Sequence, residues 1–115
     1  MATQSCIFCR IAASEIPSDI IYQDDDITAF RDIQPVAPVH IVVIPKLHIP
    51  ALAAIQPEHV QLLGKLLLTV KQVAAEQGLA EGYRVVVNSG VQAGQSVPHL
   101  HFHILGGRTL GWPPG

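Results

Sequence analysis

The chain has 115 residues, which is enough for one domain with one core, over residues 1–115. Of these residues 49% are hydrophobic and 14% are charged, and the formal net charge is -2. The near-neutral charge excludes a basic surface for nucleic acid, and the apolar content predicts further burial in a homodimer. No membrane span or secretory signal is evident, so we expect a cytoplasmic protein without membrane partners.

The first half of the chain is predicted to contain four elements. They are a short helix over Phe8–Ser14 and strands over Ile20–Tyr22, Ile27–Arg31 and His40–Ile44. Pro17 closes the helix, and Pro45 ends the β-branched third strand. The three aspartates at 24–26 suggest a metal site at first sight, but this pattern is more typical of a solvated hairpin turn.

A long helix is predicted from Pro57, with Gly78 as its stop. Its apolar residues recur at three- and four-residue spacing: Val60, Leu63, Leu67, Val70 and Ala74. Three more apolar residues widen that arc: Leu62, Leu66 and Val73. One core does not need so wide an arc, so we expect this helix to face a partner subunit as well.

Two further strands are predicted after the helix, over Tyr83–Asn88 and Val97–Leu105, with a glycine-containing loop at Gly90–Ser96 between them. The tail, Gly106–Gly115, holds Trp112 among glycines and prolines. Several short strands around one long helix indicate an α+β fold with a mainly antiparallel sheet.

Three histidines alternate with apolar residues in the last predicted strand, as His99, His101 and His103. Because successive side chains of a strand point to opposite faces, we expect the three imidazoles on one face. The apolar residues between them would pack on the helix from the other face. Imidazoles spaced about 7 Å apart along a strand have no comparable packing role.

Spacing alone leaves three interpretations of these histidines. They could form a solvated polar face, share a catalytic metal ion, or act as nucleophile and electrostatic catalyst on a phosphoryl centre. The preceding stretch, Asn88–Ser96, favours the third interpretation. It offers an amide, a hydroxyl and glycine-opened backbone N–H groups, which hold anions rather than metals.

The segment His99–Leu105 resembles the His-φ-His-φ-His-φ-φ signature of the histidine triad (HIT) superfamily. The similarity covers essentially the whole chain, in Phe30–Ile33, Ala37–His40, Val43–Lys46, Val87–Asn88, Gly94–Val97 and Gly111–Gly115. The ending Gly-Trp-Pro-Pro-Gly is characteristic of the Hint branch, the histidine triad nucleotide-binding proteins.

The resemblance implies a five-stranded, mainly antiparallel sheet with one long and one short helix. It also implies a homodimer, in which long helices and edge strands join two sheets into a ten-stranded sheet. The implied activity is hydrolysis of adenosine or other purine nucleoside 5′-phosphoramidates to the nucleoside monophosphate. The purine nucleotide is the implied ligand, and the chemistry requires no cofactor.

The matched motifs also imply roles for individual residues. His101 is the nucleophile on the α-phosphorus, and its neighbours in proton and phosphate handling are His99, His103, His40 and Ser96. The implied nucleotide-binding residues are Asp32 at the ribose, Phe8, Ile11, Ile16, Phe30, Ile33 and Val42 around the base, and Asn88, Gly94 and Gln95 near the phosphate. Trp112 would pack near the partner's active site and help to set leaving-group preference.

Both cysteines of the chain lie in one pair, Cys6-x-x-Cys9. In a reducing compartment this spacing suggests metal binding or redox chemistry. The resemblance implies a closed structural zinc site completed by His48 and His99, which would remove His99 from phosphate binding. The alternative is a pair of buried free thiols. His59, at the start of the long helix, is expected to be exposed.

Three other functions compete with a phosphoramidase. The same His101 intermediate could serve dinucleoside polyphosphate hydrolysis or nucleotidyl transfer. A binding or scaffold dimer would use the nucleotide pocket with little turnover. A catalytic metalloenzyme would lose turnover at once on chelation, whereas loss of a structural zinc would first lower stability.

Overall fold

The computed structural model describes residues 6–115, so the first five residues of the predicted 1–115 domain lie outside the described part. The helices are α1 (Ile7–Ala12) and α2 (Val60–Glu76), and the strands are β1 (Ile20–Gln23), β2 (Ile27–Arg31), β3 (Val39–Pro45), β4 (Tyr83–Val86) and β5 (Phe102–Gly106). Single 3-10 turns cover Leu52–Ala54, Pro57–His59 and Val91–Ala93. The predicted α+β fold with five strands, one long helix and one short helix is confirmed.

The five strands form one antiparallel sheet in the order β1-β2-β3-β5-β4. The β-branched strand β3 lies in the middle, and all of its residues except Val39 are buried. Val42 of this strand pairs with Phe30 on one side and with His103 on the other. Directly paired residues share a face of a sheet, so these three side chains point the same way.

The two faces of the sheet are covered differently. On one face, Ile41, Val43 and Ile104 pack with residues of α2 in the main core. On the other face, a smaller cluster includes Phe30 and Val42 together with Ile11 and Ala12 of α1. Because α1 has only six residues, it covers only part of this second face, which also carries His103. We call this second face the histidine face.

The prediction of a strand over Val97–Leu105 is wrong at its N-terminal end, since β5 begins at Phe102. Residues 97–99 form a bend, in which the His99 N–H donates to the Val97 carbonyl at 2.8 Å. Pro98 has no N–H to give to a strand ladder. His99 and His101 therefore precede the strand, and only His103 lies within it.

The core-facing side of α2 also differs from the simplest interpretation of its sequence. Val60 and Leu67 are 68% and 52% exposed, whereas Leu66 and Val73 are 0% and 1% exposed. The apolar arc of this helix is so wide that more than one side of the helix could face the core. Contact with the sheet determines which side does. The helix follows a 3-10 turn at Pro57–His59, and His59 is half-buried rather than exposed.

The predicted hairpin turn at 24–26 is confirmed by its hydrogen bonds. Asp24 Oδ1 accepts the N–H groups of Asp26 and Ile27 at 2.8 and 2.9 Å. Lys65 Nζ lies 2.7 Å from Asp26 Oδ2 and 3.5 Å from Asp24 Oδ1. The remaining boundaries differ slightly, since α1 ends at Ala12 and β4 ends at Val86. Within residues 6–115, no helix has the length and apolar content to cross a membrane.

Candidate active site

Three histidines meet on the histidine face. His103 of β5 lies between His40 of β3 and His101, with ring centroids 5.1 and 5.0 Å apart. The strand register explains the contact between His40 and His103. Val42 pairs with His103, and His40 lies two residues before Val42 on the same face of β3. The predicted association of His40 with the triad is therefore present as a contact between rings.

The orientation of His101 is determined by its own backbone. Its Nδ1 lies 2.6 Å from the His99 carbonyl oxygen, so Nδ1 carries the proton and donates it. The Nε2 atom then keeps its lone pair, which is the form of imidazole that can attack an electrophile. The His101 side chain is buried, and the Phe8 ring meets it edge-on with centroids 5.0 Å apart.

The hydrogen bonds of His40 and His103 determine the tautomers of these two rings in the same way. The Val36 N–H donates to His40 Nδ1 at 3.1 Å, so the proton of a neutral His40 resides on Nε2. This Nε2 lies 2.9 Å from His103 Nδ1, which accepts from it. A neutral His103 must therefore carry its proton on Nε2. The cluster thus places His101, whose Nε2 has a free lone pair, beside His103, whose Nε2–H is a hydrogen-bond donor.

Burial keeps the rings behind His101 neutral. Burial and then the nearby His101 and His40 lower the pKa of His103 from 6.5 to about 4, although Asp32 opposes the shift. Burial also lowers the pKa of His40, again against Asp32. Asp32 Oδ2 lies 3.4 Å from His40 Nε2 while its Oδ1 accepts the Gln34 N–H. Asp32 is thus placed to stabilise a proton gained by this cluster.

Five of the six side chains expected around a base lie close together next to the triad. They are Phe8, Ile11, Ile16, Phe30 and Val42, all members of the cluster under the histidine face or packed against it. The Phe8 ring also meets the Phe30 ring edge-on at 5.4 Å. Ile33 lies outside this cluster and is 92% exposed. Its contact with a base stays a prediction.

The loop before the triad is braced by Gln95. Its Oε1 accepts the Gly90 N–H at 2.8 Å, and its Nε2 donates to the carbonyls of Pro50 and Val97 at 2.7 and 3.0 Å. A phosphate contact from this side chain would have to replace one of these bonds. Gly94 takes a φ of 92°, which favours glycine. Ser96 is exposed and Asn88 is half-buried, so both can contact a ligand.

A second cluster joins the start of α1 to the triad segment. Its members are Cys6, Cys9, His48 and His99, whose ligand atoms all lie within 4.8 Å of one another. His99 Nδ1 lies 3.3 and 3.4 Å from the sulfurs of Cys6 and Cys9, and His48 Nδ1 lies 3.2 Å from Cys9 Sγ. Ligand atoms around one tetrahedral zinc ion would be about 3.3–3.8 Å apart.

The hydrogen bonds of this second cluster suit a metal. His99 Nε2 donates to the Pro45 carbonyl at 2.8 Å, which leaves the Nδ1 lone pair directed at the two sulfurs. Cys6 is the N-cap of α1, and its sulfur accepts the Cys9 N–H. Burial, followed by Cys6, raises the pKa of the Cys9 thiol to about 11. Burial also lowers the pKa of His99 to about 4, which keeps this ring neutral, the form in which an imidazole can bind a metal.

The C-terminal tail is attached to the sheet by Arg84 of β4. Arg84 Nη2 donates to the Gly111 carbonyl at 2.7 Å, and its Cζ lies 6.0 Å from the centre of the Trp112 ring. Trp112 is 82% exposed. The predicted contact of Trp112 with a partner stays a prediction.

Several features of the site have no counterpart in the sequence analysis. The carbonyls of His99 and Pro45 and the N–H of Val36 select the tautomers, but backbone groups carry no residue-type signal. Arg84 was also missed. One weak signal for Arg84 was present in the sequence: it is a positively charged residue within a predicted strand, and the glycine-containing loop follows that strand.

Comparison with known proteins identifies the family of this chain. The HIT domain model matches residues 13–110. An uncharacterized HIT-like protein of Synechococcus elongatus is 58% identical, over 98% of this chain and 99% of its own. Two plant proteins are each 50% identical over 95% of this chain: Adenylylsulfatase HINT1 of Arabidopsis thaliana, covered over 76%, and a 14 kDa zinc-binding protein of Brassica juncea, covered over 98%.

A solved structure shows the same fold. The HIT family hydrolase from Legionella pneumophila Philadelphia 1 superimposes with a TM-score of 0.95 and 46% sequence identity, covering 96% of this chain and all of that chain. The shared features are the five-stranded antiparallel sheet and the single long helix. With the matched domain and these relatives, the chain belongs to the HIT superfamily and to its Hint-like branch.

Proposed function

We propose that this protein hydrolyses purine nucleoside 5′-phosphoramidates, with adenosine as the expected nucleoside, and that His101 is its nucleophile. The observation that carries the proposal is the 2.6 Å hydrogen bond from His101 Nδ1 to the His99 carbonyl. This bond leaves the Nε2 lone pair for attack on phosphorus. Membership of a family that includes hydrolases supports hydrolysis as the reaction class.

The reaction has two steps. In the first step the lone pair of His101 Nε2 forms a bond to the α-phosphorus, and the bond from phosphorus to the amine nitrogen breaks. The His101 ring becomes positively charged, and the carbonyl dipole of His99 stabilises that charge through Nδ1. In the second step water attacks phosphorus and gives a proton to His103, the bond from phosphorus to His101 Nε2 breaks, and the monophosphate leaves while Nε2 regains its lone pair.

The leaving nitrogen needs a proton, and His103 is the neighbouring donor. In the free site burial lowers its pKa to about 4, so its Nε2–H donates as a neutral ring. A bound phosphate anion raises the pKa of nearby imidazoles. Asp32, through His40, acts in the same direction. His103 can therefore gain a proton with the substrate and pass it to the amine, with Ser96 as an alternative relay.

The nucleotide would lie across the partly covered side of the histidine face. The base fits against the aromatic and aliphatic cluster of Phe8, Ile11, Ile16, Phe30 and Val42, with Ile33 at its exposed rim. Asp32 keeps a half-buried carboxylate for the ribose hydroxyls. The phosphate would meet the loop at Asn88, Gly94 and Ser96, while Gln95 holds that loop in shape.

We assign the second cluster to a structural zinc ion held by Cys6, Cys9, His48 and His99. Four protein ligands leave no open position, so this ion would stabilise the fold rather than activate water. It would tie α1, which carries Phe8 and Ile11, to the segment that carries His101. The chemistry at His101 then requires no cofactor. His99 contributes its carbonyl to the reaction and not its ring.

The same proposal includes a homodimer built on α2 and β4. Val60, Leu67 and Leu68 on the outer side of α2 are exposed, as are Tyr83 and Val85 on the edge strand β4. An edge strand also presents unpaired backbone groups to a second copy. Val85→Asp should convert a dimer into a monomer in sedimentation velocity. Val91→Asp, at an exposed apolar residue outside this surface, is the matched control.

A second substrate class is favoured by one relative. The 50% identical Arabidopsis thaliana protein is named an adenylylsulfatase. Adenylyl sulfate has the same α-phosphorus with sulfate in place of an amine. Sulfate leaves without taking a proton, so the same His101 intermediate would serve this substrate with less need of His103.

The proposal is tested by incubating the protein and His101→Ala with adenosine 5′-phosphoramidate or adenylyl sulfate, and measuring AMP release with and without a chelator. We expect AMP from the phosphoramidate that depends on His101 and persists during brief chelation. Release from adenylyl sulfate alone would favour the second substrate class. No turnover despite AMP binding would identify a nucleotide-binding scaffold, and immediate loss on chelation would identify a metalloenzyme.

A further inference from the structure

The two oxygens of the Asp32 carboxylate are held unequally. Oδ1 accepts the Gln34 N–H at 2.8 Å, within the loop that follows β2. Oδ2 lies 3.4 Å from His40 Nε2. The first distance is that of a good hydrogen bond, whereas the second is longer than the usual range for one. Oδ2 is therefore the oxygen that a ligand can take over at the lower cost.

The proton on His40 Nε2 has two acceptors within reach. The Val36 N–H occupies Nδ1, so a neutral His40 carries its proton on Nε2. His103 Nδ1 lies 2.9 Å from this nitrogen, and Asp32 Oδ2 lies 3.4 Å from it. The carboxylate and the ring nitrogens of His40 and His103 all lie within 4.8 Å of one another. The charge on Oδ2 therefore acts on both rings.

Among residues 6–115, the charge of Asp32 is balanced by these rings and by no arginine or lysine within 4 Å. The other titratable or charged groups around the two rings are His101 before β5, Arg84 of β4 two strands from His40, and Arg108 at the Val36 carbonyl. From α1, the Phe8 ring approaches His101 without a charge. Asp32 thus supplies the negative charge next to both rings, and 23% of its side chain stays accessible to a ligand.

We propose that Asp32 couples recognition of the sugar to proton donation by His103. This inference rests on the proposed function, in which Asp32 meets the ribose hydroxyls and His103 gives the leaving amine its proton. A hydroxyl that donates to Oδ2 takes the place of His40 there and withdraws part of the negative charge from the rings. His40 Nε2–H then donates to His103 Nδ1 alone. A proton gained by His103 is held less tightly, so it passes more readily to the amine.

The coupling predicts a difference between sugars that goes beyond affinity. A ribonucleotide can donate a hydroxyl to Oδ2, whereas a 2′,3′-dideoxynucleotide leaves Oδ2 to His40. Both ligands carry the same 5′-phosphate, so they differ at Asp32 and not in the charge beside His101. Burial lowers the pKa of His40 and of His103, and Asp32 opposes that shift. The pKa of this pair should therefore be lower when the sugar hydroxyls engage Asp32.

The test is a chemical-shift titration of the histidine rings in complexes of the full chain with AMP and with 2′,3′-dideoxy-AMP. We expect the pKa of the His40–His103 pair to be about half a unit lower in the AMP complex, because one contact with an anion is weakened and not removed. In Asp32→Asn the two complexes should titrate alike. Equal titration in both complexes of the unmodified protein, or a difference that persists in Asp32→Asn, would overturn the coupling.

The matched control is Asp26→Asn. This carboxylate bonds Lys65 of α2, on the other side of the sheet from the histidine face. The variant removes one negative charge, as Asp32→Asn does, but leaves the site intact. The difference between the AMP and 2′,3′-dideoxy-AMP complexes should persist in it. Loss of the difference in Asp26→Asn would show that it follows net charge and would overturn a specific role of Asp32.

The pH profile of turnover gives a second readout. Because the leaving amine needs a protonated His103, kcat should fall as the pH rises through the pKa of the pair in the substrate complex. With adenosine phosphoramidate this fall should lie about half a unit lower in pH than with the 2′,3′-dideoxy compound, and Asp32→Asn should abolish the difference. A difference between the two substrates confined to KM would show that Asp32 binds the sugar without acting on the proton, and would overturn the inference.

The titration separates this inference from the proposed function, because it needs binding but no turnover. If no AMP is released from the phosphoramidate while the two complexes titrate differently, the proposed chemistry fails and the coupling of the sugar to the ring protons stands. If turnover occurs and the titrations coincide, only the coupling is overturned. If neither nucleotide shifts the ring signals, the proposed nucleotide pocket and this inference fail together.

Discussion

His99 and His101 are two residues apart on the same segment, yet their surroundings give them opposite chemistry. Both nitrogens of His99 are engaged, one by the Pro45 carbonyl and one by the two cysteine sulfurs. His101 gives one nitrogen to the His99 carbonyl and keeps the other for a ligand. The comparison shows that partner atoms, and not the residue type or its place in a motif, decide what an imidazole can do.

The same contrast extends to the two clusters as wholes. The cysteine–histidine cluster brings together three separate segments, and its geometry suits a metal ion with four protein ligands and no open coordination position. The cluster of His40, His101 and His103 keeps a lone pair and a donor for a ligand. The two clusters are joined at His99, whose ring contacts the cysteines and whose carbonyl accepts the hydrogen bond from His101. Three experiments can break or sharpen this comparison.

The largest effect is expected when one histidine of each cluster is removed. His101→Ala should lower turnover of adenosine phosphoramidate by at least about a thousandfold and leave the bound metal unchanged, because only the nucleophile is lost. His48→Ala should lower metal content and leave most of the turnover per folded molecule. Activity assays and elemental analysis on the same samples measure both effects.

His59→Ala is the control for loss of a histidine, since among residues 6–115 His59 Nδ1 accepts the Gln56 N–H just before α2 and takes part in neither cluster. Neither metal content nor turnover should change in it. Loss of metal in His101→Ala, or loss of nearly all turnover in metal-loaded His48→Ala, would contradict the division between the two clusters.

The next largest effect is the loss of stability on metal removal at neutral pH, which should come only from the cysteine–histidine cluster. Chelation of the purified protein, or Cys9→Ser, should lower Tm by roughly 10 °C or more, because metal binding energy contributes to folding. In His101→Ala, chelation should lower Tm to the same extent. Differential scanning calorimetry measures both shifts. A Tm that is insensitive to chelation would mean that Cys6 and Cys9 are free thiols.

The smallest effect is the dependence of stability on pH that comes from His103. Burial lowers the pKa of this histidine in the folded chain to about 4, against an ordinary value of 6.5. Between these values the unfolded chain binds the extra proton, so this contribution to stability is complete above pH 6.5 and is lost as the pH falls toward 4. His103→Asn should therefore flatten the fall in urea-unfolding free energy over this range.

An equally steep fall in the variant would show that His103 is not held neutral by its surroundings. His40 is the related test, because burial lowers its pKa while Asp32 opposes the shift. Asp32→Asn should lower the pKa of His40 further, which chemical-shift titration of the ring can follow.

Periodicity and turn residues were sufficient to place both helices and all five strands. The Asp24 turn and the β-branched strand β3 are local features, and local preferences decided them. The rotation of α2 was not predictable in this way, because Leu66 and Leu67 are equally apolar and only the sheet distinguishes them. The start of β5 was misplaced for a similar reason, since Leu100 bonds to Ile49 across the fold.

The sequence by itself determined which residue types are available: histidines at alternating positions, a cysteine pair, a glycine-opened loop and a single tryptophan. Motif spacing is a covalent property, so it could indicate His101, His103 and the Cys6–Cys9 pair. The resemblance already implied that His48 and His99 join the cysteines and that His40 joins the triad, whereas only the tertiary structure decided which nitrogen holds each proton and where Arg84 reaches. Those choices depend on contacts between residues up to 93 positions apart, such as Cys6 and His99, which no local pattern encodes.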